Sequence, residues 1–567
     1  MNKRFVSPLL IFGLILIFGQ PAFAVKSKLD SLLNITVKGM QVSDNSSQGQ
    51  YELGLDLKSK QESNSTNPFK WFLDSVDTAE DQNQTVPKID ESLTIQIPCI
   101  EYNNTNLKLD LSFVSNNKDP DFVWEFNDIT EVAFSNKNRN EDPKVENSTQ
   151  LTLKESMNNF SFDLFQEVIN YQRYTEGDSD FFFAPYGIYQ SLAKAYAGAR
   201  NNTAAEFKEV LYLEQDQEEL HKSLNKLNLD LESRGKGYDD ILESFPWVGS
   251  SKIYGFKMDM ANSVWISKGN PFLELTKGGI NKDYLDLLAE NYGEGIRFLS
   301  NTDPSAMASK INKWASRTTE REITQAVSPE DLSASSRMLL SNIVYFEAIW
   351  EDKFDPEDTN SELFTPLSGS QYNRDMMYQR NNFNFYAGDN YKAIELPYDH
   401  RESLKDLKDM RVSMLIVLPE TGEFEDVQEN LNAQELEQII SGFEQKTVDL
   451  KLPAWDGESS FNLTGVLKQL GLEDAFKEKS ADFSGMLSPG IVQQIKDQLY
   501  LSKFTHKAKV KVDEHGTKAS AFSGEIGNEV DAPAMSDVKN FYADRSFIYL
   551  IWDKPTDTII FMGRVVE

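Results

Sequence analysis

Hydrophobic and polar positions change their rhythm along the chain near residue 150. Before that point the pattern is short alternation. Leu53, Leu55 and Leu57 alternate with Gly54 and Asp56, the period-2 signature of a half-buried strand. Leu93-Thr94-Ile95-Gln96-Ile97 alternates, Asn103-Asn104-Thr105-Asn106 turns, and Leu107-Lys108-Leu109-Asp110-Leu111 alternates again, which predicts a hairpin. Pro98 bends its first arm or makes it an edge. Residues 122–126 predict a further strand. The region 25–135 therefore reads as a small β-rich module, and the polar, charged residues 136–157 read as a linker.

From residue 158 the period lengthens. Phe162, Phe165 and Ile169, with Leu164 and Val168, place one apolar face on a helix, and Ile188, Leu192, Ala195 and Ala199 do so on the next. Residues 338–346 form a nearly continuous apolar run broken by one polar island, Ser341-Asn342, as expected of a strand covered on both faces. Residues 412–418 and 547–552 are of the same type. Helices mixed with long buried strands, without regular βαβ alternation, predict an α+β fold over 158–567.

Composition narrows the function. The net charge of −32 opposes binding to nucleic acid or to an anionic membrane surface. Lys3-Arg4, the apolar residues 9–18 and Ala22-Phe23-Ala24 read as a signal peptide over 1–24, and no later run predicts membrane insertion. Secretion to the extracellular space is the expectation, or export to the periplasm or cell surface in a bacterium. Cys99 is the sole cysteine, so no intrachain disulfide can form. The histidines, His221, His400, His506 and His515, lack paired-ligand spacing, and neither a Gly-x-Ser-x-Gly elbow nor a phosphate-cradling glycine loop occurs. The reading is of a non-enzyme without metal or cofactor.

Several segments, in order, are similar to the serpin family. They include Phe183-Ala184-Pro185-Tyr186-Gly187-Ile188; Ile311-Asn312-Lys313-Trp314; Leu340-Ser341-Asn342-Ile343-Val344-Tyr345-Phe346 with Trp350; and Glu395-Leu396-Pro397-Tyr398. His506-Lys507-Ala508, Glu514-His515-Gly516-Thr517 and Phe561-Met562-Gly563-Arg564-Val565 follow. The resemblance implies a serpin fold, with helices around large sheets and an exposed reactive-centre loop. It also implies a suicide substrate for a serine-type protease, with a cysteine-type target as the lesser option; the alternative is a non-inhibitory binding or carrier protein. Asn342, His506 and Trp350 match the region where the sheet opens. Ala184 and Gly187 stand where the family usually has serines, and Ala454 stands where a basic partner for Glu514 is often found.

The loop is also legible physically. Glu514, Gly516, Thr517, Ala519, Ser520 and Ala521 form a hinge of mostly small residues ahead of a polar tract reaching to Lys539. In an extended strand Thr517, Ala519, Ala521 and Ser523 would share one face. Glu525 falls on that face too, where burial would be costly. Counting as the family does sets the scissile bond at Val530-Asp531, within a window of 529–535, and the small aliphatic Val530 suits an elastase-like protease.

Overall fold

A computed structural model of the protein describes residues 33–44, 47–60, 70–78, 92–102, 105–116, 123–135, 137–175, 177–235, 256–267, 279–299, 303–319, 322–399, 412–495, 498–517 and 538–567. The signal-peptide reading of 1–24 lies outside them. The chain forms two compact units, residues 1–100 with 108–131, and residues 101–107 with 132–567.

In the first unit β1 (Leu33–Asp44), β2 (Ser47–Lys60) and β3 (Lys70–Thr78) form an antiparallel sheet in that order. β4 (Ser92–Tyr102), β5 (Thr105–Asn116) and β6 (Val123–Ala133) are neighbours in sequence order. The alternating residues 93–97 and 107–111 fall within β4 and β5, and Pro98 lies inside β4.

The second unit starts its first helix earlier than the polarity of 136–157 predicts. α1 (Asn147–Thr175) carries Leu153, Met157, Phe160, Leu164, Phe165 and Val168 into the core, at the spacing of one helical face. Its first turns are exposed, and their polar residues hide the helix from a hydrophobic pattern. β7 (Phe181–Phe183) leads into α2 (Pro185–Gly198), which begins on a proline that needs no amide partner there and is buried at every residue. α3 (Asn201–Val210) and α4 (Gln217–Gly235) follow.

Two sheets sandwich α2. One contains β8 (Phe256–Ser267), β9 (Ile296–Leu299), β10 (Met338–Ile349), β16 (Trp455–Asn462), β17 (Leu501–Asp513) and the two-residue β18 (Gly516–Thr517), in the order β16-β17-β18-β10-β8-β9. The other runs β19-β15-β12-β13-β14-β20-β21-β7, with β11 (Asn360–Phe364) on β12. Its strands are β12 (Tyr372–Ala387), β13 (Tyr391–Pro397), β14 (Val412–Pro419), β15 (Glu444–Pro453), β19 (Lys539–Tyr542), β20 (Phe547–Asp553) and β21 (Thr558–Val565). α2 packs on β8 and β10 from one side and on β21 from the other. α5 (Lys282–Tyr292) is capped by Asn281, whose side chain accepts from the Asp283 amide. α6 (Pro304–Thr318) covers the outer face of the first sheet.

β10 shows why a continuous apolar run was needed. Leu340, Val344, Phe346 and Ala348 enter the main core, whereas Leu339, Ile343 and Tyr345 join Trp265, Ile311 and Trp314 beneath α6. Both faces are covered, and the strand is buried at every position but Glu347. Among the described residues no helix is long and apolar enough to cross a membrane.

Candidate functional site

The seam between β10 and β17 is a parallel one. Leu339 to Tyr345 run beside Lys503 to Lys509, so that Asn342 faces His506. On its other side β10 is antiparallel to β8, and Asn342 faces Asn262. Asn262, Asn342 and His506 thus lie in one row across three strands, all but sealed from solvent. Buried polar groups are tolerated when hydrogen-bonded, and these are. The Ala184 amide donates to His506 Nε2 at 3.2 Å, which leaves the proton on Nδ1. Nδ1 donates to Asn342 Oδ1 at 2.5 Å, and Asn342 Nδ2 donates to Asn262 Oδ1. Burial lowers the His506 pKa to about 3, so the imidazole is neutral. Phe461 stacks on its ring at 6.3 Å.

Gly187 makes this row possible. A Cβ at that position would sit 2.5 Å from Asn342 Nδ2, so the departure from serine at 187 gives the Asn342 amide its space.

At the other end of the seam β17 ends on Asp513, Glu514 and His515 turn, and Gly516–Thr517 fold back between the strands. Gly516 pairs with Ile349 and Asp513, Thr517 with Ala348 and Val512. Both pairings are antiparallel. Gly516 is at φ +155, and a Cβ there would lie 2.1 Å from the Ala348 carbonyl oxygen, so only glycine fits. Thr517 is fully buried, and its hydroxyl shares a hydrogen with Tyr398 Oη at 2.7 Å. Tyr398 lies flat on Trp350, with ring centroids 4.7 Å apart and planes 7° from parallel. Trp350 Nε1 donates to the Asp513 carbonyl at 2.9 Å and its amide to that of His515 at 3.0 Å. Glu514 accepts from Thr359 Oγ1 at 2.7 Å; with alanine at 454, a hydroxyl serves it in place of a cation.

The sequence-predicted residues therefore gather into two clusters on one seam. Asn342 and His506 sit at mid-height, and Trp350, Glu514, Gly516 and Thr517 at the mouth. Ala519, Ser520, Ala521, Val530 and Asp531 lie outside the described residues. Tyr398 and Asn262 were given no role from sequence. Asn262 was findable, because Asn262-Ser263 breaks the apolar residues 260–266 just as Ser341-Asn342 breaks β10. Asp513, Glu514 and His515 bring potential ligand atoms within 4.8 Å of one another. Those atoms already serve the turn: Asp513 accepts from the His515 amide at 3.0 Å and faces Lys511 at 3.3 Å. His221 Nδ1 meets Tyr292 Oη at 2.6 Å and His515 Nδ1 lies 3.8 Å from Asp513.

The model of the serpin (serine protease inhibitor) family matches residues 155–567. An uncharacterized serpin-like protein of Thermococcus kodakarensis is 32% identical over 414 residues, spanning 73% of this chain and 85% of its own. Leukocyte elastase inhibitor A of Mus musculus is 28% identical over 418 residues, 72% of this chain and 97% of its own. Among solved structures, the native thermophilic serpin tengpin superposes with a TM-score of 0.60 at 23% identity, covering 76% of this chain and 97% of tengpin. With the family model matched from α1 to the last residue, and with helices around two large mixed sheets, the chain belongs to the serpin family and has the serpin fold.

Proposed function

We propose that this protein is a secreted inhibitor of a serine-type protease that acts by inserting its cleaved loop between β10 and β17. One observation carries the reading: the hinge residues Gly516 and Thr517 already pair with both strands. Continued insertion extends a strand whose direction is set. It replaces one parallel ladder, the weaker kind per residue, with two antiparallel ones. Residues 517–528 would extend about 40 Å at roughly 3.3 Å per residue. About ten additional hydrogen bonds at ~1 kcal/mol net each amount to roughly 10 kcal/mol, comparable with the stability of a whole domain. Thr517 faces the buried Tyr398, so residues 519, 521 and 523 on the same face meet the crowded core side, where alanine and serine fit.

In this mechanism the protease's hydroxyl attacks the carbonyl of Val530, the bond to Asp531 breaks, and the new amino terminus leaves. The acyl-enzyme is then carried along the sheet before water can reach it. Small residues about the cut, and the elastase inhibitor among its relatives, support an elastase-like target. The test is incubation with elastase-, trypsin- and subtilisin-type proteases, with mass spectrometry of the cut. An SDS-resistant adduct severed within 529–535 is expected; cleavage products alone with every protease would overturn the reading. Glu525, on the face that would enter the core, favours a second reading as a non-inhibitory binding protein. That reading expects cleavage with no rise in melting temperature.

A further inference from the structure

The row across the seam does not end at Asn262. Asn262 Nδ2 donates to Gln190 Oε1 on α2 at 3.1 Å, and Gln190 Nε2 donates to Tyr186 Oη at 2.6 Å. Tyr186 Oη donates to Asn228 Oδ1 on α4 at 3.1 Å, and Asn228 Nδ2 donates to Glu232 Oε1 at 2.6 Å. From the Ala184 amide through His506, Asn342, Asn262, Gln190, Tyr186 and Asn228, each donor points the same way, and the chain ends on a carboxylate. Every side-chain amide in it has one permitted orientation, because flipping any of them sets donor against donor. Such chains strengthen cooperatively in a low-dielectric interior.

The carboxylate is held from the segment preceding α1. Arg139 Nη1 lies 2.9 and 3.1 Å from the two Glu232 oxygens, and Arg139 Nε donates to the buried Asn225 at 2.8 Å. This segment, whose residues from 136 onward read from sequence as linker, is fastened from Val132 to Asn140. Val132 and Ala133 pair with Arg297 and Ile296 of β9, Lys137 meets Glu290 at 2.9 Å, and Asn225 Nδ2 donates to the Asn140 carbonyl at 2.7 Å. A Cβ on Gly295 would lie 2.2 Å from the Ala133 oxygen, so the glycine admits the strap.

We infer that Arg139 is a positioning residue for sheet opening: by fixing Glu232 it orients the polar chain that ends at the Asn342–His506 bond and so holds the seam closed. The inference rests on the insertion reading for its consequence, since a strand entering between β10 and β17 separates Asn342 from His506 and uncouples Arg139 from the seam. The linkage itself exists in the uncleaved protein alone and is measured there.

The experiment is a double-mutant cycle on the full chain, pairing Arg139→Gln with His506→Asn, and with Gln190→Met should the His506 variant fail to fold. Unfolding equilibria in urea are read before and after loop cleavage. Arg139→Gln is expected to raise the unfolded fraction more than about five-fold, the effect of one lost hydrogen bond, and to have a clearly smaller effect where the chain is already broken and only its contacts with Glu232 and Asn225 are lost. Arg139→Lys, which keeps the charge, restores part of the loss. After cleavage the effect of Arg139→Gln should shrink to that of its local contacts with Glu232 and Asn225. Equal effects of Arg139→Gln in both backgrounds, as for independent distant sites, would overturn the inference and reduce Arg139 to a local contact. If cleavage leaves the parent's stability unchanged, the insertion reading fails, while the cycle on uncleaved protein still decides the linkage.

Discussion

Replacing Thr517 with arginine tests the proposed insertion at its starting residues. Thr517 is sealed between Ala348 and Val512 and bonded to a fully buried tyrosine hydroxyl. The substitution strips Tyr398 of that partner, at about 1–3 kcal/mol. It also asks the core to take an unpaired guanidinium, at several kcal/mol even after relaxation. Holding the hinge in place are four cross-strand residue pairs, or roughly 2–4 net hydrogen bonds at ~1 kcal/mol each. The penalty exceeds the hold, so the hinge is expelled and insertion loses its starting strand. If ~3 kcal/mol of that imbalance appears in the barrier to insertion, the step slows about a hundred-fold, and hydrolysis of the acyl-enzyme wins the race. Gel electrophoresis of a titration with an inhibited protease should then show cleaved protein where the parent shows adduct. Calorimetry should show the cleaved variant melting no higher than the intact one. Adduct at the parental stoichiometry would refute the hinge argument, and Thr517→Ser, which keeps the hydroxyl, controls for the substitution itself.

Two further outcomes follow from the buried polar row and its surroundings. Burial holds His506 and His221 at about 3, below the ordinary value near 6.5, so as pH falls through 6.5 the unfolded chain gains protons that the native chain refuses. Each histidine should therefore remove about 1.4 kcal/mol of stability per pH unit between roughly pH 6.5 and pH 3. Urea midpoints of the parent should fall from pH 6.5 to 5, above most carboxylate titration, with a visibly shallower slope in His221→Gln; an unchanged slope would contradict the assignment. Gly187→Ala should lower the urea midpoint at neutral pH by about 1–3 kcal/mol of stability, because its Cβ would strike the Asn342 amide at 2.5 Å. A parental midpoint would mean that Asn342 moves aside freely.

What could be read from the sequence depended on whether apolar periodicity or polar pairing builds the feature. β10 was legible because both of its faces are apolar, and the Ser341-Asn342 island announced its own exception. At positions 516 and 517 the legible feature was residue size, and these two small residues lie buried between β10 and β17. The fastened segment around Arg139 and Asn140 was not legible. Its contacts are hydrogen bonds from the same polar residue types that compose a linker, and their partners, Asn225, Glu232 and Glu290, lie about ninety to one hundred and fifty positions away. The first turns of α1 were lost for a related reason: their exposed residues carry no periodic apolar face.

Under the proposed insertion mechanism, the polar row also has a place in the energetics of a sheet that stays shut before cleavage and parts after it. Apolar side chains at 342 and 506 would be buried whether the neighbouring strand were β17 or an inserted one, and would scarcely distinguish the two arrangements. Hydrogen bonds do distinguish them. Separating β10 from β17 breaks the Asn342–His506 bond in a dry interior and leaves His506 Nδ1 and Asn342 Oδ1 unpaired, at about 1–3 kcal/mol for each unpaired group, before the incoming backbone has formed its ladders. That term raises the barrier, and it offsets only part of the roughly 10 kcal/mol gained on full insertion. Gly516 and Thr517 lower the same barrier from the other end, because the mouth of the seam is already occupied and the strand needs only to grow. The arrangement is consistent with control by rate: a closed seam held by a few aligned hydrogen bonds at mid-height, and a short strand at the mouth waiting for the cut that frees it.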